Sequence, residues 1–179
     1  MTLIPTENAL RTCIIELLTG EVSGIRSIPN GKLDICFNTG SDLFNQAVSS
    51  LVRPVIDIKI EYSKSADQVM QPSPIWIENV KIVIETAFLQ KTAAVGHLSY
   101  QQTKSDSSDL GFAIRSLLGW PGKLITNDAG EPTGLISGIL QYESSTVTKD
   151  QVPIAGQGPG LYITEHVFTG WIKRTPAVA

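Results

Sequence analysis

The chain has 179 residues, of which 42% are hydrophobic and 17% are charged, with a net charge of −3 and a pI of about 5.4. This length is sufficient for one domain with a substantial core, and the composition excludes a disordered chain. No run of lysine or arginine is present, so the sequence offers no basic patch for tight binding to nucleic acid.

The N-terminal residues and the length of the apolar stretches bear on where the protein is located. The N-terminal residues MTLIPTENALRT lack a basic region followed by a long apolar run, so we expect no signal peptide. No apolar stretch reaches the roughly 20 residues that a helix needs to cross a bilayer. We therefore expect a reducing cytoplasm, in which Cys13 is a small buried hydrophobic residue and not part of a disulfide.

The N-terminal part of the chain predicts two amphipathic helices separated by a short strand. In residues 6–20, Thr6 can cap the first turn and Gly20 can end the helix. The apolar residues of this segment recur at the spacing of one buried helix face: Leu10, Cys13, Ile14, Leu17 and Leu18. A strand over 33–37 and a second helix over 41–52 follow, and Pro54 limits that helix.

Two strands with apolar faces come next. In residues 54–62 one face carries Ile56, Ile58, Ile60 and Tyr62, which is typical of a half-buried antiparallel strand. Residues 75–89 form a longer strand whose outer face is more apolar than contact with water alone would favour. The loop over 63–74 carries Val69 and Met70 at its centre. Because these side chains have no obvious place in the core of a monomer, we predict that they contact another subunit or protein.

The C-terminal half predicts one more helix and two more strands. A third helix over 107–119 starts with a Ser/Asp cap that includes Asp106 and Asp109, and Gly119 ends it. Strands are predicted over 135–143 and 161–174, with a long loop over 144–160 between them. That loop also carries apolar residues, Val152 and Ile154, which we assign to the same kind of interface.

The order of these elements defines the expected fold. Adjacent strand pairs alternating with helices predict an α+β fold: a single mostly antiparallel β-sheet with helices packed on one face and long loops between strand pairs. No repeat or linker divides the chain, so residues 1–179 are expected to form a single domain. The sheet would leave its other face free.

Catalytic, metal and cofactor chemistry find little support in the sequence. His97 and His166 are the two histidines, and neither has a carboxylate or cysteine at a catalytic or metal-ligand spacing. The segment GLISG around Ser137 departs from the spacing of a nucleophile elbow. The segment GQGPG is followed by a strand, whereas a phosphate cradle needs a helix. We therefore predict no catalytic, metal-binding or cofactor-binding residue, and not an enzyme.

The order of elements resembles that of the tail-terminator proteins of long-tailed bacteriophages. An amphipathic helix, ALRTCIIELLTGE, opens the chain, and RPVIDIKIEY supplies a proline followed by an alternating strand. A long loop, the tryptophan-initiated strand IWIENVKIVIETAFL and the helix SSDLGFAIRSLLG follow. The final strand begins in GPGLYITEHVF. The likeness is a pattern of elements over most of the chain; residues 28–53 and 144–160 are longer than the pattern requires.

The resemblance implies a structural virion protein of the tail or neck, assembled in the host cytoplasm. Such a protein forms a ring, a hexamer in this expectation, that stops polymerisation of the tail tube and joins the tail to the head connector. Its partners would be other copies of itself, the tail-tube protein and the head-connector or neck protein, with no membrane. Val69, Met70, Val152 and Ile154 would then lie at subunit or partner interfaces.

DNA would pass through the ring without specific binding. We expect the channel lining to be neutral or net acidic, and Asp57, Glu61, Glu78 and Glu85 are candidates. Three other functions stay open on the sequence: another neck, tail-completion or tail-tube subunit, a small hydrolase that uses residues such as Ser137 and His166, and a peptide-binding adaptor that uses the exposed sheet face.

Overall fold

The computed structural model describes residues 7–22, 36–37, 55–64, 76–90, 96–119, 139–151 and 160–174. These residues form two helices and five strands in one sheet. In chain order the elements are α1 (Glu7–Val22), β1 (Cys36–Phe37), β2 (Val55–Lys64), β3 (Trp76–Gln90), α2 (Gly96–Leu118), β4 (Gln141–Gln151) and β5 (Gly160–Arg174).

The sheet has the strand order β1-β2-β3-β5-β4. The two-residue β1 pairs parallel with β2, and all other neighbours are antiparallel. The centre of the sheet is the β3–β5 pair, which is in register from Trp76↔Arg174 to Gln90↔Gly160. The predicted fold class, a mostly antiparallel α+β sheet, is confirmed.

Both helices pack on the same face of the sheet. Side chains alternate along a strand, so every second residue of β2, β3 and β5 points to this face. The core between the layers takes its side chains from both helices and these strands: Leu10, Ile14, Leu18, Leu110, Ile114 and Leu118 from the helices, and Ile56, Ile58, Ile60, Val80, Ile82, Ile84, Phe88, Tyr162, Phe168 and Ile172 from the strands. Cys13, which we expected to be buried, is half-buried at the edge of this core.

The opposite face of the sheet, which we expected to be free, is buried at one end and exposed at the other. Val55, Ala87, Leu161 and Ile163 form a second buried cluster there, at one end of the strands. Val83 and Val167, which pair across β3 and β5, are buried on the same face. The apolar outer face predicted for residues 75–89 is therefore buried at this end of the sheet.

The helices extend beyond their predicted bounds. Helix α1 continues through Gly20 to Val22, and α2 begins at Gly96 instead of Ser107. Asp106 and Asp109 consequently lie inside α2 and do not cap its start. The residues before Leu110 lack an apolar stripe, and contacts made by Lys104 with other elements, described below, fix part of this segment on the sheet.

Strand β4 differs most from its prediction. It spans Gln141–Gln151, so residues 144–151 belong to a strand and not to the loop predicted over 144–160. Buried and exposed residues do not alternate along β4, because β4 is the last of the described strands in the sheet and is exposed on both faces. The remainder of that predicted loop, 152–159, lies outside the described residues, as does the helix predicted over 41–52.

Candidate functional site

The four predicted interface residues are Val69, Met70, Val152 and Ile154, and all lie outside the described residues. Ser137, the nucleophile of the hydrolase alternative, also lies outside them, as does the side chain of His97. The described surface nevertheless offers two features with functional potential. One is the exposed edge formed by β4, and the other is a polar pocket between α2 and the β4–β5 pair.

Strand β4 has a partner on one side only among the described strands. Only Tyr142 and Lys149 are even half-buried along its length. Register shifts between Tyr142 and Ser144 and between Val147 and Lys149 interrupt its pairing with β5. An exposed edge presents unpaired backbone N–H and C=O groups to other chains, while bulges and a lysine limit indiscriminate pairing. Strand β4 can therefore pair with a strand of a specific partner, while its bulges and its lysine disfavour pairing with arbitrary chains.

Exposed apolar side chains concentrate near this edge. The large ones among the described residues are Phe112, Ile139, Val147 and Trp171, with 65%, 49%, 47% and 38% of their surfaces exposed. Val147 lies on β4, Ile139 lies two residues before it, and Trp171 lies on the neighbouring β5. Ile139 and Trp171 line an open groove of about 810 Å³ on the sheet face away from the helices, whereas Val147 pairs with Thr164 and lies on the helix-facing side. Both faces beside the β4 edge therefore expose large apolar side chains, which are frequent at surfaces that bind other proteins.

The polar pocket on the other side of β4 is centred on His166. This side chain is 2% exposed and lies on β5, facing α2. Its Nδ1 atom is 3.0 Å from Ser145 Oγ on β4, and its buried Nε2 atom has no hydrogen-bond partner among the described residues. Helix α2 approaches the ring closely at Gly111, where an added Cβ would lie 2.6 Å from His166 Cε1. Only a residue without a side chain fits between this helix and the imidazole.

Two cations of α2 border the same pocket. Lys104 Nζ lies 3.0 Å from Asp150 Oδ2 on β4 and 5.7 Å from the centre of the Tyr162 ring. The Arg115 guanidinium lies 5.5 Å from the centre of the Tyr142 ring, and its Nε donates to the carbonyl oxygen of Gly111 at 3.2 Å. These contacts hold α2 against strands β4 and β5.

Burial, and secondarily the charge of Arg115, lowers the pKa of His166 to about 4. The imidazole is therefore neutral near pH 7. A general base is most effective when its pKa is close to the working pH, and both burial and Arg115 oppose the imidazolium that proton abstraction would create. The Ser145–His166 pair is thus poorly suited to nucleophilic catalysis, and the described residues place no carboxylate in a hydrogen bond to the ring.

The acidic residues proposed for a channel lining fall in different environments. Asp57 and Glu61 share the sheet face away from the helices, and Glu61 is exposed. Glu85 lies on that face too, but it is 6% exposed and accepts a hydrogen bond from Lys59 Nζ at 2.9 Å. Glu78, half-buried, is on the alternate side of β3. Glu78 and Glu85 therefore lie on opposite faces of β3, and the burial of Glu85 makes it unsuited to lining an open channel.

The described residues also bear on metal binding and on membrane insertion. No group of three or more His, Cys, Asp and Glu side chains among them is placed to hold a metal ion. In the described part of the chain, neither helix combines the length and the apolar character needed to cross a membrane.

The sequence matches no protein-family model and no curated protein.

Sequence reasoning missed most of the pocket. His166 was singled out, but Lys104, Arg115 and Ser145 were not. Their positions depend on the extension of α2 to Gly96 and on the pairing of β4 with β5. The absence of a side chain at Gly111, inside a segment predicted to be helical, was the available signal that α2 approaches another group closely.

Proposed function

We propose that this protein is a structural subunit of a bacteriophage tail. It forms a homo-oligomeric ring at the head-proximal end of the tail, stops polymerisation of the tail tube and joins the tail to the head connector. The observation that carries the proposal is the exposed edge strand β4 with the apolar side chains of Ile139, Val147 and Trp171 around it. The resemblance in the order of elements to tail terminators supplies the specific role.

The two edges of the sheet support a head-to-tail arrangement of subunits. Strand β4 forms one edge, and the short parallel strand β1 lies at the other. A closed ring needs two different surfaces on each subunit, which meet in the same way at every interface. The unlike edges meet this requirement, whereas pairing of β4 with another β4 would produce an isolated two-fold dimer.

The apolar residues beside β4 give the interface a source of free energy. Burying one large apolar side chain contributes roughly 1.5–3 kcal/mol, and a ring repeats that contribution at each interface. Val69, Met70, Val152 and Ile154 remain predicted members of these interfaces.

Charge substitutions on the edge test the proposal. Ile139→Asp combined with Val147→Asp should abolish ring formation, because each carboxylate would have to be buried without a partner. The matched control is Ser105→Asp combined with Thr12→Asp, which adds the same charge at exposed positions of α2 and α1. Native mass spectrometry and negative-stain imaging, with and without the cognate tail tube, report the assembly. Rings formed equally by the edge variant and the control would contradict the proposal.

The peptide-binding adaptor is a second candidate because one groove favours it. Trp171 and Ile139 line the open groove together with the polar residues Lys81, Asn79 and Gln141. An aromatic side chain amid polar groups is typical of peptide-binding surfaces. A chain that stays monomeric in the presence of the tail tube and binds extended peptides through Trp171 would support the adaptor instead.

A further inference from the structure

We infer that the pocket between α2 and the β4–β5 pair binds a single small oxyanion, either a phosphate or a carboxylate group. Ser145 and Val147 of β4 line this site, and Val147 also belongs to the proposed interface, but the inference does not depend on ring formation. It follows from the hydrogen-bonding chemistry, the charge and the size of the pocket.

Hydrogen-bond donors dominate the described lining of this pocket, and no carboxylate is among these lining residues. The lining includes two cations and four aliphatic hydroxyls: Lys104, Arg115, Ser107, Ser108, Ser145 and Thr164. Lysine and arginine can only donate hydrogen bonds, and a hydroxyl can donate one. The group that satisfies such a lining is an acceptor with several oxygen atoms.

One hydroxyl proton in the buried wall lacks a protein acceptor among the described residues. Ser107 is 1% exposed and Thr164 is 7% exposed, and their hydroxyl oxygens lie 3.1 Å apart. Only one of the two hydroxyls can donate in this hydrogen bond, so the other has its proton left for a group in the pocket. A buried donor without an acceptor costs free energy, which an oxyanion would recover.

Arg115 supplies the main attraction for an anion. Its Nε donates to the carbonyl oxygen of Gly111 and its Cζ lies 5.5 Å from the centre of the Tyr142 ring, while the described residues offer no acceptor to its two terminal nitrogens. A guanidinium that is held at its Nε keeps these two nitrogens for two oxygens of a phosphate or carboxylate.

Lys104 adds a second positive charge, which Asp150 partly offsets. The Nζ–Oδ2 distance of 3.0 Å shows that this carboxylate already accepts from the ammonium group. Lys104 lies eleven residues before Arg115 on α2, about 16 Å along the helix axis, so it borders the opposite end of the pocket and attracts an anion bound at Arg115 through its charge alone. Asp150 nevertheless repels an incoming anion and sets the affinity of the pocket below what the two cations alone would give.

The size of the pocket limits the ligand to a single group. Its volume is about 180 Å³. That volume holds one phosphate or carboxylate with a few waters, since one water occupies about 30 Å³ in the liquid. It falls short of the roughly 300 Å³ at which pockets for larger organic ligands begin. A nucleotide base would remain outside.

Nuclear magnetic resonance of the two histidines gives a direct readout. The chain has two histidines, and a His97→Gln variant identifies the signal of His166. Inorganic phosphate and acetate are titrated separately at pH 7 and constant ionic strength. Saturable movement of the His166 signal in the millimolar range with either anion supports the pocket. A response to phosphate alone assigns a phosphoryl ligand, and a response to acetate alone assigns a carboxylate.

The pKa of His166 should rise when the pocket is saturated. Lys104 and Arg115 on α2, Asp150 on β4 and Tyr162 on β5 are the titratable groups around the ring. A bound anion offsets the charge of Arg115, which is one cause of the low pKa of His166. Anion binding that leaves the His166 pKa unchanged would place the ligand elsewhere and overturn the inference.

Three variants make the test specific. Arg115→Gln should weaken binding about tenfold or more, since a charged hydrogen-bond donor is lost. Asp150→Asn should tighten binding, because a competing carboxylate is removed. Arg11→Gln on α1 is the matched control: Arg11 also pairs with a carboxylate and with a backbone carbonyl, but it lies outside the pocket. No change in Arg115→Gln, or an equal loss in Arg11→Gln, overturns the inference, as does an absence of saturable binding of both anions. If Arg115→Gln does not fold, two other variants provide the test: Lys104→Gln should weaken anion binding and Asp150→Asn should tighten it.

Discussion

His166 illustrates what a single residue can and cannot reveal before the fold is known. The alternation of the final strand predicts that the residue lies on a strand, and β5 confirms this. The proximity of Ser145, Gly111 and Arg115 could not be predicted, because it depends on how α2 crosses the β4–β5 pair. The burial that follows from this packing gives His166 its low pKa.

The low pKa predicts a pH dependence of stability. Its folded-state value is about 4 against an ordinary 6.5, so between these pH values the unfolded chain takes up a proton that the folded chain does not. The free energy of unfolding is therefore unaffected by His166 above pH 6.5 and falls as the pH is lowered toward 4, by up to about 3 kcal/mol from this group. Denaturant titrations between pH 7 and pH 4 measure the effect. His166→Gln should remove this part of the slope, and an unchanged slope in the variant would contradict the assignment.

Gly111 provides a second prediction at the residue scale. Replacing a helical glycine by alanine ordinarily stabilises a protein by about 0.5–1 kcal/mol. In Gly111→Ala the new Cβ would lie 2.6 Å from His166 Cε1, so we expect a destabilisation of about 1–3 kcal/mol instead. Thermal or chemical unfolding measures the change, with the exposed Ser105→Ala as the control on the same helix.

The clash at Gly111 can be separated from other effects by a second substitution. Combining Gly111→Ala with His166→Ala removes the ring that the new methyl group meets, so the cost of the alanine should largely disappear in that background. Stabilisation by Gly111→Ala in the original protein would show that the helix does not approach the histidine this closely.

At the scale of elements, apolar patterning decides what can be predicted. Strands β2, β3 and β5 begin and end within two residues of their predictions, because their apolar residues recur at the alternating positions that face the helices. Strand β4 is exposed on both faces and carries no such pattern, so most of it was assigned to a loop. The first turns of α2 were missed for the same reason: they are polar, and contacts such as that between Lys104 and Asp150 lie far apart in the sequence.

The loop between β2 and β3 carries the clearest interface prediction. Val69→Asp combined with Met70→Asp should leave the free energy of unfolding within about 0.5 kcal/mol, since substitutions at exposed loop positions have small effects. Ring assembly should fall sharply, because the charges would enter the interface. Thermal unfolding and native mass spectrometry measure the two quantities, and Ser65→Asp is the control within the same loop. Normal assembly of the double variant would remove this loop from the interface.

At the scale of the whole molecule, charge favours passage of DNA over its capture. The chain has 17 acidic and 14 basic residues. Basic residues such as Lys59, Lys81 and Lys104 are paired with carboxylates. We therefore predict that the protein does not bind duplex DNA tightly at physiological salt, since phosphate binding depends on unpaired Lys and Arg. An electrophoretic mobility shift assay measures this. Tight binding, or a channel lined mainly by lysine and arginine, would indicate a connector that grips DNA.

The measurement that tests the proposed function most directly is electron cryo-microscopy of the assembly that contains this chain. We predict a closed ring of identical copies at the head-proximal end of the tail tube, with β4 and its exposed apolar neighbours at the contacts between subunits or with the tube. The assembled state matters here, because a terminator can remain monomeric until it meets the tube. A single copy without like neighbours, or a ring at another place in the particle, would contradict the proposal.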